Sequence, residues 1–365
     1  MKVAVVGTRG IAQIPGGIEM HCQELYPRVV ALGCDVFVMC RKCYVDEDNV
    51  EYNGVKLVHL YALQNKYFET ILHSFLGIIK ARILKVDILH IHAIGSALLI
   101  PFARLLGIKH IVATHHGQDY TLKTWGTIAK WILRTGERYC AKLADEVIVI
   151  SESIYQTVQQ FHRINETHLI LNGVNAPKKI KTTRFITSLG LKSGKYVLAM
   201  DNFVPETRLD LLIDAFSALM SSEYKLVIVG DADQTTMYSE KLKKQAADAN
   251  VILTGRINGS ALAEVLTHAR LFVSSSLQDG LSISLLKAMS YNLEVLVSDI
   301  PSTQAMHLPE SSFFLSGDKD DLCNKLREKL SLVSSRVQYD MSPYNWEYVA
   351  QQTVNVYHKM MVHDE

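Results

Sequence analysis

The chain has 365 residues, 48% of them hydrophobic, with 38 basic against 37 acidic side chains and a formal charge of +1. That length calls for two packed cores rather than one, and so small a net charge excludes strong global attraction to nucleic acid, so no nucleic-acid partner is expected. Lys80, Arg82, Arg104 and Lys109 break the apolar stretches short of the ~18 residues a membrane-spanning helix needs, and Met1-Lys2 runs into a strand pattern without a leader-like apolar region, which points to the cytoplasm.

Short, uniformly apolar runs alternate with longer amphipathic stretches. Val3–Val6, Asp35–Cys40, Val55–Leu60, Ile88–His92, His110–Thr114 and Glu146–Ile150 read as strands of a parallel sheet covered by helices on both faces. The rhythm restarts at Tyr196–Met200 and continues through Lys225–Val229, Val251–Leu253, Leu271–Ser274 and Val295–Ser298. The expected fold is therefore α/β with two Rossmann-like domains. The first covers 1–175, a polar, basic linker 176–191, and the second domain 192–344; a helix over 345–365 is expected to pack back. The six cysteines show no framework spacing and fit a reducing compartment. Cys40-Arg-Lys-Cys43 is an isolated pair, too few for a zinc site.

Several features carry chemistry. After the first strand comes Gly7-Thr-Arg-Gly-Ile-Ala-Gln-Ile-Pro-Gly-Gly-Ile-Glu19. Gly7 and Gly10 permit a tight turn, and Gly16 and Gly17 let backbone amides approach a ligand at the next helix start. The spacing is not the dinucleotide fingerprint, which disfavours a dehydrogenase. Further on, His90, His92, His115 and His116 imitate a metal cluster. Alternation along strands is expected to turn at most half of them the same way, so no metal is expected. Gly280, Leu281 and Ser282 lead into a helix whose free N–H groups and dipole form an anion site, with Lys287 as a nearby cation. Lys130, Arg134, Arg138 and Lys142 form a basic stripe on a predicted helix, with Trp125 and Trp131 close by.

Placed in order, these segments resemble the family-four glycosyltransferases, retaining enzymes of the GT-B fold, and the opening resembles the subgroup that includes bacterial rhamnosyltransferases. The resemblance runs nearly the whole chain. It implies two Rossmann-like domains with parallel sheets facing a central cleft, which the last helix crosses. It also implies a nucleotide-sugar co-substrate, a glycan or lipid-linked acceptor of bacterial surface-polysaccharide synthesis, and no metal or other cofactor. His116 in Ala113-Thr-His-His-Gly-Gln-Asp119 matches the acceptor-side polar position, where an Asp often stands in this subgroup. Glu19, His92 and Asp119 are implied on the acceptor side, and Gly16 and Gly17 on the donor side. For lipid acceptors the resemblance turns the basic stripe into a peripheral membrane contact; a solvated helix face is the competing reading.

The donor motif departs from the family. Its Gly-Arg-x-x-x-x-Lys pattern falls on Asp201-Asn202-Phe-Val-Pro-Glu206-Thr207-Arg208, so Asn202 and Thr207 replace the Arg and Lys. Each lost charge-assisted bond is worth ~1.5–3 kcal/mol, about a hundredfold to ten-thousandfold in donor affinity together. Arg208 stands one residue away. The paired glutamates become Asp279, a catalytic candidate with His116, and Lys287, which cannot accept from a ribose diol. Two readings stay open: an active retaining glycosyltransferase with a rewired donor site, and an inactive scaffold of the same shape.

Overall fold

The computed structural model describes residues 1–12, 14, 16–63, 69–118, 120, 126–161, 166–220, 223–278, 280–332 and 336–362. Asp119, Trp125 and Asp279 lie outside the described residues. The chain forms two compact units, Met1–Gly173 with Pro343–Glu365, and Val174–Ser342.

The first unit alternates strands and helices: β1 (Lys2–Val6), α1 (Gly17–Ala31), β2 (Asp35–Arg41), β3 (Glu51–Tyr52), β4 (Val55–Leu60), α2 (Glu69–Leu84) and β5 (Ile88–His92). It continues through α3 (Ile94–Ala97), α4 (Ile100–Leu105), β6 (His110–His115), α5 (Thr127–Leu143), β7 (Glu146–Val149), α6 (Glu152–Gln159) and β8 (Thr167–Leu169). The sheet order is β3-β4-β2-β1-β5-β6-β7-β8, parallel except for the β3–β4 pair. Apolar on both faces, β1 buries Val3 through Val6 completely, as a strand between two helical layers must. Strand order reverses at β1 and β5, and in open α/β sheets ligands bind at the carboxyl edge of such a switch.

The second unit repeats the plan: α7 (Arg184–Ser188), β9 (Tyr196–Met200), α8 (Leu209–Ser217), β10 (Lys225–Val229), α9 (Met237–Asp248), β11 (Ile252–Gly255) and α10 (Gly259–His268). Then follow β12 (Leu271–Ser274), α11 (Ile283–Ser290), β13 (Glu294–Ser298), α12 (Pro301–Gln304), β14 (Phe313–Phe314) and α13 (Lys319–Ser331). All its strands run parallel in the order β11-β10-β9-β12-β13-β14, which places a second switch between β9 and β12.

One sequence expectation changes. Residues 176–191 are not a free connection. The Lys178 N–H donates to the Tyr291 hydroxyl, Ile180 N–H to Thr267, and Ile186 N–H to the buried Glu264 carboxylate, so this basic stretch is bonded onto the second unit. The last helix, α14 (Trp346–Val362), belongs to the first unit and packs on α1. Its Trp346 ring lies on Gly173, where a Cβ would meet ring carbon at 2.4 Å. Tyr357, fully buried, reaches His90 at 2.6 Å. The short strands β3, β8 and β14 carry too few residues for a periodic signal.

Candidate functional site

In the first unit the glycine loop is shaped by close approach. Gly7 has φ +99°, and a Cβ there would lie 2.0 Å from the His92 carbonyl oxygen, so only glycine lets β1 and β5 end side by side. Gly16 has φ +142°, and its Cβ would meet the Glu19 carboxylate at 2.0 Å. The α1 helix begins at Gly17 with no side-chain cap at Gly16, and the Glu19 carboxylate lies against that first turn. Glu19 is buried and organises the loop: its carboxylate accepts from the Arg9 backbone N–H at 3.0 Å and from Arg9 Nε at 3.2 Å.

A cleft of about 830 Å³ opens beside this loop. Gly7, Arg9, Glu19, Arg41 and Thr70 form its polar end; Ile18, Ile71, Ile128, Ile132 and Leu133 form an apolar wall. Arg41 is held by Glu69 at 2.9 Å and donates to Thr70 at 3.2 Å, so the polar end is pre-organised. The α5 helix approaches α3 closely because residue 136 is glycine; a Cβ there would lie 2.0 Å from the Ile94 carbonyl oxygen. The outer face of α5 exposes Ile128 and Trp131, with Arg134, Arg138 and Lys142 exposed and Lys130 half-buried.

At the β5 and β6 edge the structure brings His92 and His116 together, with 2.8 Å between Nδ1 of His92 and Nε2 of His116. It adds a residue the sequence reading missed, His21 on α1, edge-on to both rings with centroids 5.6 and 4.9 Å away. His90 stacks on His92, so three of the four strand histidines share one side, whereas His115 turns away to Glu137 at 3.0 Å. More than the expected half of the strand histidines thus face one way, because neighbouring parallel strands put like-facing residues side by side. His21 bonds Asn172 at 2.8 Å, and Tyr26 lies between His90 and His92 at 3.1 and 2.5 Å. Burial lowers the His21 pKa to about 4 against the Asn172 bond, and burial with the His21 charge lowers His90 to about 3. Burial and the neighbouring imidazoles hold His92 and His116 well below the ordinary range. These rings are therefore neutral at pH 7, and offer lone pairs rather than charge.

In the second unit the loops after β9 and β12 are stitched together. Ser275 donates to the Thr207 carbonyl at 2.8 Å, Ser276 to the Asp201 carboxylate at 3.1 Å, and Leu277 N–H to the Glu206 carbonyl at 2.9 Å. Asp201 also accepts the Asn202 N–H at 2.8 Å, so its charge braces the loop. Thr207 is buried, and its hydroxyl donates to the Asn202 and Val204 carbonyls. Arg208 adopts φ +50° and its Nε donates to Asp210 at 3.4 Å. Ser282 caps α11 by accepting from the Leu285 N–H at 3.3 Å; Gly280 and Leu281 precede it, and the half-buried Lys287 follows one turn on. The structure thus gathers Asn202, Thr207 and Arg208 beside the β12 loop at one sheet edge.

A second residue the sequence reading missed stands there. Arg256, just past β11, donates to Asn202 Oδ1 at 3.4 Å, to the Asp231 carbonyl at 3.1 Å and to Asp233 at 2.5 Å. Nearby, Gly230, φ +141°, lets the ends of β9 and β10 lie side by side, since a Cβ there would strike the Asp201 carbonyl at 1.8 Å. A guanidinium therefore lies against the side chain that occupies the lost arginine's position.

Two parallel sheets, each with its candidate residues at a switch point, define a protein of the GT-B glycosyltransferase type. A model of Glycosyltransferase Family 4 matches residues 15–177, a model of glycosyl transferases group 1 matches 182–340, and the chain belongs to the family-four glycosyltransferases. It is 24% identical to an uncharacterized glycosyltransferase of Methanocaldococcus jannaschii, over 98% of both chains. Among solved structures it is similar to a sucrose-phosphate synthase of Thermosynechococcus elongatus, with TM-score 0.82 and 18% identity over 99% of each chain. It is also similar to Anabaena HepE, solved in complex with UDP-glucose, with TM-score 0.79 and 15% identity over 98% of this chain and all of that one. Among the described residues no helix is long and apolar enough to cross a membrane.

Proposed function

We propose that this chain is an active retaining glycosyltransferase that takes a nucleotide-sugar donor on its second unit and a lipid-linked acceptor on its first, in the assembly of a bacterial surface polysaccharide. The observation that carries activity over an inactive scaffold is Arg256, whose guanidinium lies 3.4 Å from Asn202 Oδ1. Arg256, just past β11 and paired with Asp233, brings a guanidinium to the position of the lost arginine, and Arg208 and the α11 start add further stabilisation of a leaving diphosphate. The bound UDP-glucose of Anabaena HepE supports a nucleotide sugar as donor.

The cleft in the first unit supports an amphipathic acceptor. Its polar end suits a sugar or phosphate and its apolar wall suits an isoprenoid or acyl chain. Part of that wall is α5, through Ile128, Ile132 and Leu133, and the same helix presents Trp131 and the basic stripe to solvent, the composition of a membrane-surface helix. His116 and Glu19 stand on the acceptor side, and Asp279 is assigned to the donor sugar.

The inactive reading draws on Thr207, whose buried hydroxyl is committed to backbone carbonyls. The two separate by product: the purified chain, incubated with a panel of nucleotide sugars and vesicles carrying lipid-linked acceptors, is expected to release nucleoside diphosphate and glycosylate the lipid with retention at the anomeric carbon. Absence of both products across the panel, from a folded protein, refutes the proposal.

A further inference from the structure

Each of His21, His92 and His116 offers one ring nitrogen, and these three atoms lie within 4.8 Å of one another; those of His92 and His116 are 2.8 Å apart. A zinc-class ion holding imidazoles at about 2.0–2.1 Å spaces its ligand nitrogens by roughly 3.3 Å, a value these separations bracket. We infer that the three histidines form a binding site for a divalent transition metal of zinc-like softness, built wholly within the first unit.

Three further observations fit a ligand set better than a polar accident. First, the outer nitrogens are taken: Nδ1 of His21 faces the Asn172 Oδ1 at 2.8 Å, and Nε2 of His92 faces the Tyr26 hydroxyl at 2.5 Å. An Oδ1 acceptor fixes the proton of His21 on Nδ1 and leaves Nε2 to the metal. In the tautomer in which Nε2 of His92 donates to Tyr26, Nδ1 of that ring is likewise free for the metal. Secondly, His21 stands edge-on to both other rings, with centroids 5.6 Å from His92 and 4.9 Å from His116, so the three rings close around one point. Thirdly, His116 is only half-buried, which gives the ion a way in and leaves a coordination position toward solvent. Imidazole-only ligation favours zinc, cobalt, nickel or copper over magnesium or calcium, which take oxygen ligands. The site shares His116 with the proposed acceptor side, but its test reads metal binding alone, so its failure and the failure of transfer activity are told apart.

The test uses the full chain, stripped with EDTA and titrated with Co²⁺ alone, followed by the intensity of its visible d–d absorption and by calorimetry. One Co²⁺ per chain is expected, displaced by Zn²⁺, with a Zn²⁺-dependent rise in melting temperature. His21→Gln and His116→Gln are each expected to weaken binding by about a hundredfold or more, and Asn172→Ala by about tenfold to a hundredfold. His358→Gln, an exposed residue on α14, is expected to change nothing. Circular dichroism verifies the fold of each variant. The inference is overturned if the folded wild type shows no saturable binding below about 1 mM, or if His116→Gln and His21→Gln, still folded, bind as the wild type does.

Discussion

Arg256 is held by three acceptors on the β9 and β10 loops, so its guanidinium is already oriented when a diphosphate arrives. Removing it leaves Asn202 alone at the position where the family carries an arginine. Arg256→Ala is expected to raise the dissociation constant for the preferred nucleotide sugar by about tenfold to a hundredfold, the worth of one charge-assisted bond. Titration calorimetry reads this directly; an unchanged constant assigns the diphosphate to other residues. At the glycine loop, Gly7→Ala combines φ +99° with a Cβ 2.0 Å from the His92 carbonyl. A loss of at least about 3 kcal/mol in urea unfolding is expected, in the range of strain at special backbone positions plus overpacking. His21 and Arg256 escaped the sequence reading for the same reason. Each meets its partners across the fold, His21 to Asn172 and Arg256 to Asn202, and neither sits in a locally periodic or motif-like run. The signal for Arg256 was a Gly-Arg pair just past a strand, for His21 only a histidine four residues beyond Gly17.

Among the elements, α1, β5 and β6 carry buried histidines, and these couple stability to pH. A histidine in the unfolded chain binds protons near pH 6.5, while folded His21 does so only near 4. Between those values the unfolded state holds more protons, so stability is complete above about pH 6.5 and falls as pH drops, by about 2 kcal/mol at pH 5 for His21 alone. Urea melts at pH 7.5 and 5.0 are expected to show this loss, with His21→Gln flattening it; equal stability at the two pH values contradicts neutral burial. On α5, charge reversal at Arg134, Arg138 and Lys142 with Trp131→Ala is expected to abolish co-sedimentation with anionic vesicles and to leave binding of the nucleotide sugar intact. Sedimentation unchanged by these substitutions returns the stripe to an ordinary solvated face.

For the whole molecule, the strands were legible because those buried on both faces must be apolar throughout, as Val3–Val6 and Tyr196–Met200 are. The glycine-rich opening and the displaced donor motif were legible for a related reason: close approach and charge are properties of residue type. Less visible were the attachments between distant segments. Residues 176–191 looked like a linker because their bonds run from backbone N–H groups to Tyr291, Thr267 and Glu264, which leave no mark on local composition. The role of Asp201 was also hidden. It accepts from Ser276 and its own neighbour and so braces the loop. The central claim is that the donor site is rewired rather than lost. Calorimetric titration of the unaltered chain with UDP, GDP and dTDP sugars tests it most directly. Micromolar binding of one of them, weakened about tenfold to a hundredfold by Arg256→Ala, is the predicted result; binding seen only after Asn202→Arg, Thr207→Lys and Lys287→Glu are introduced together would contradict it.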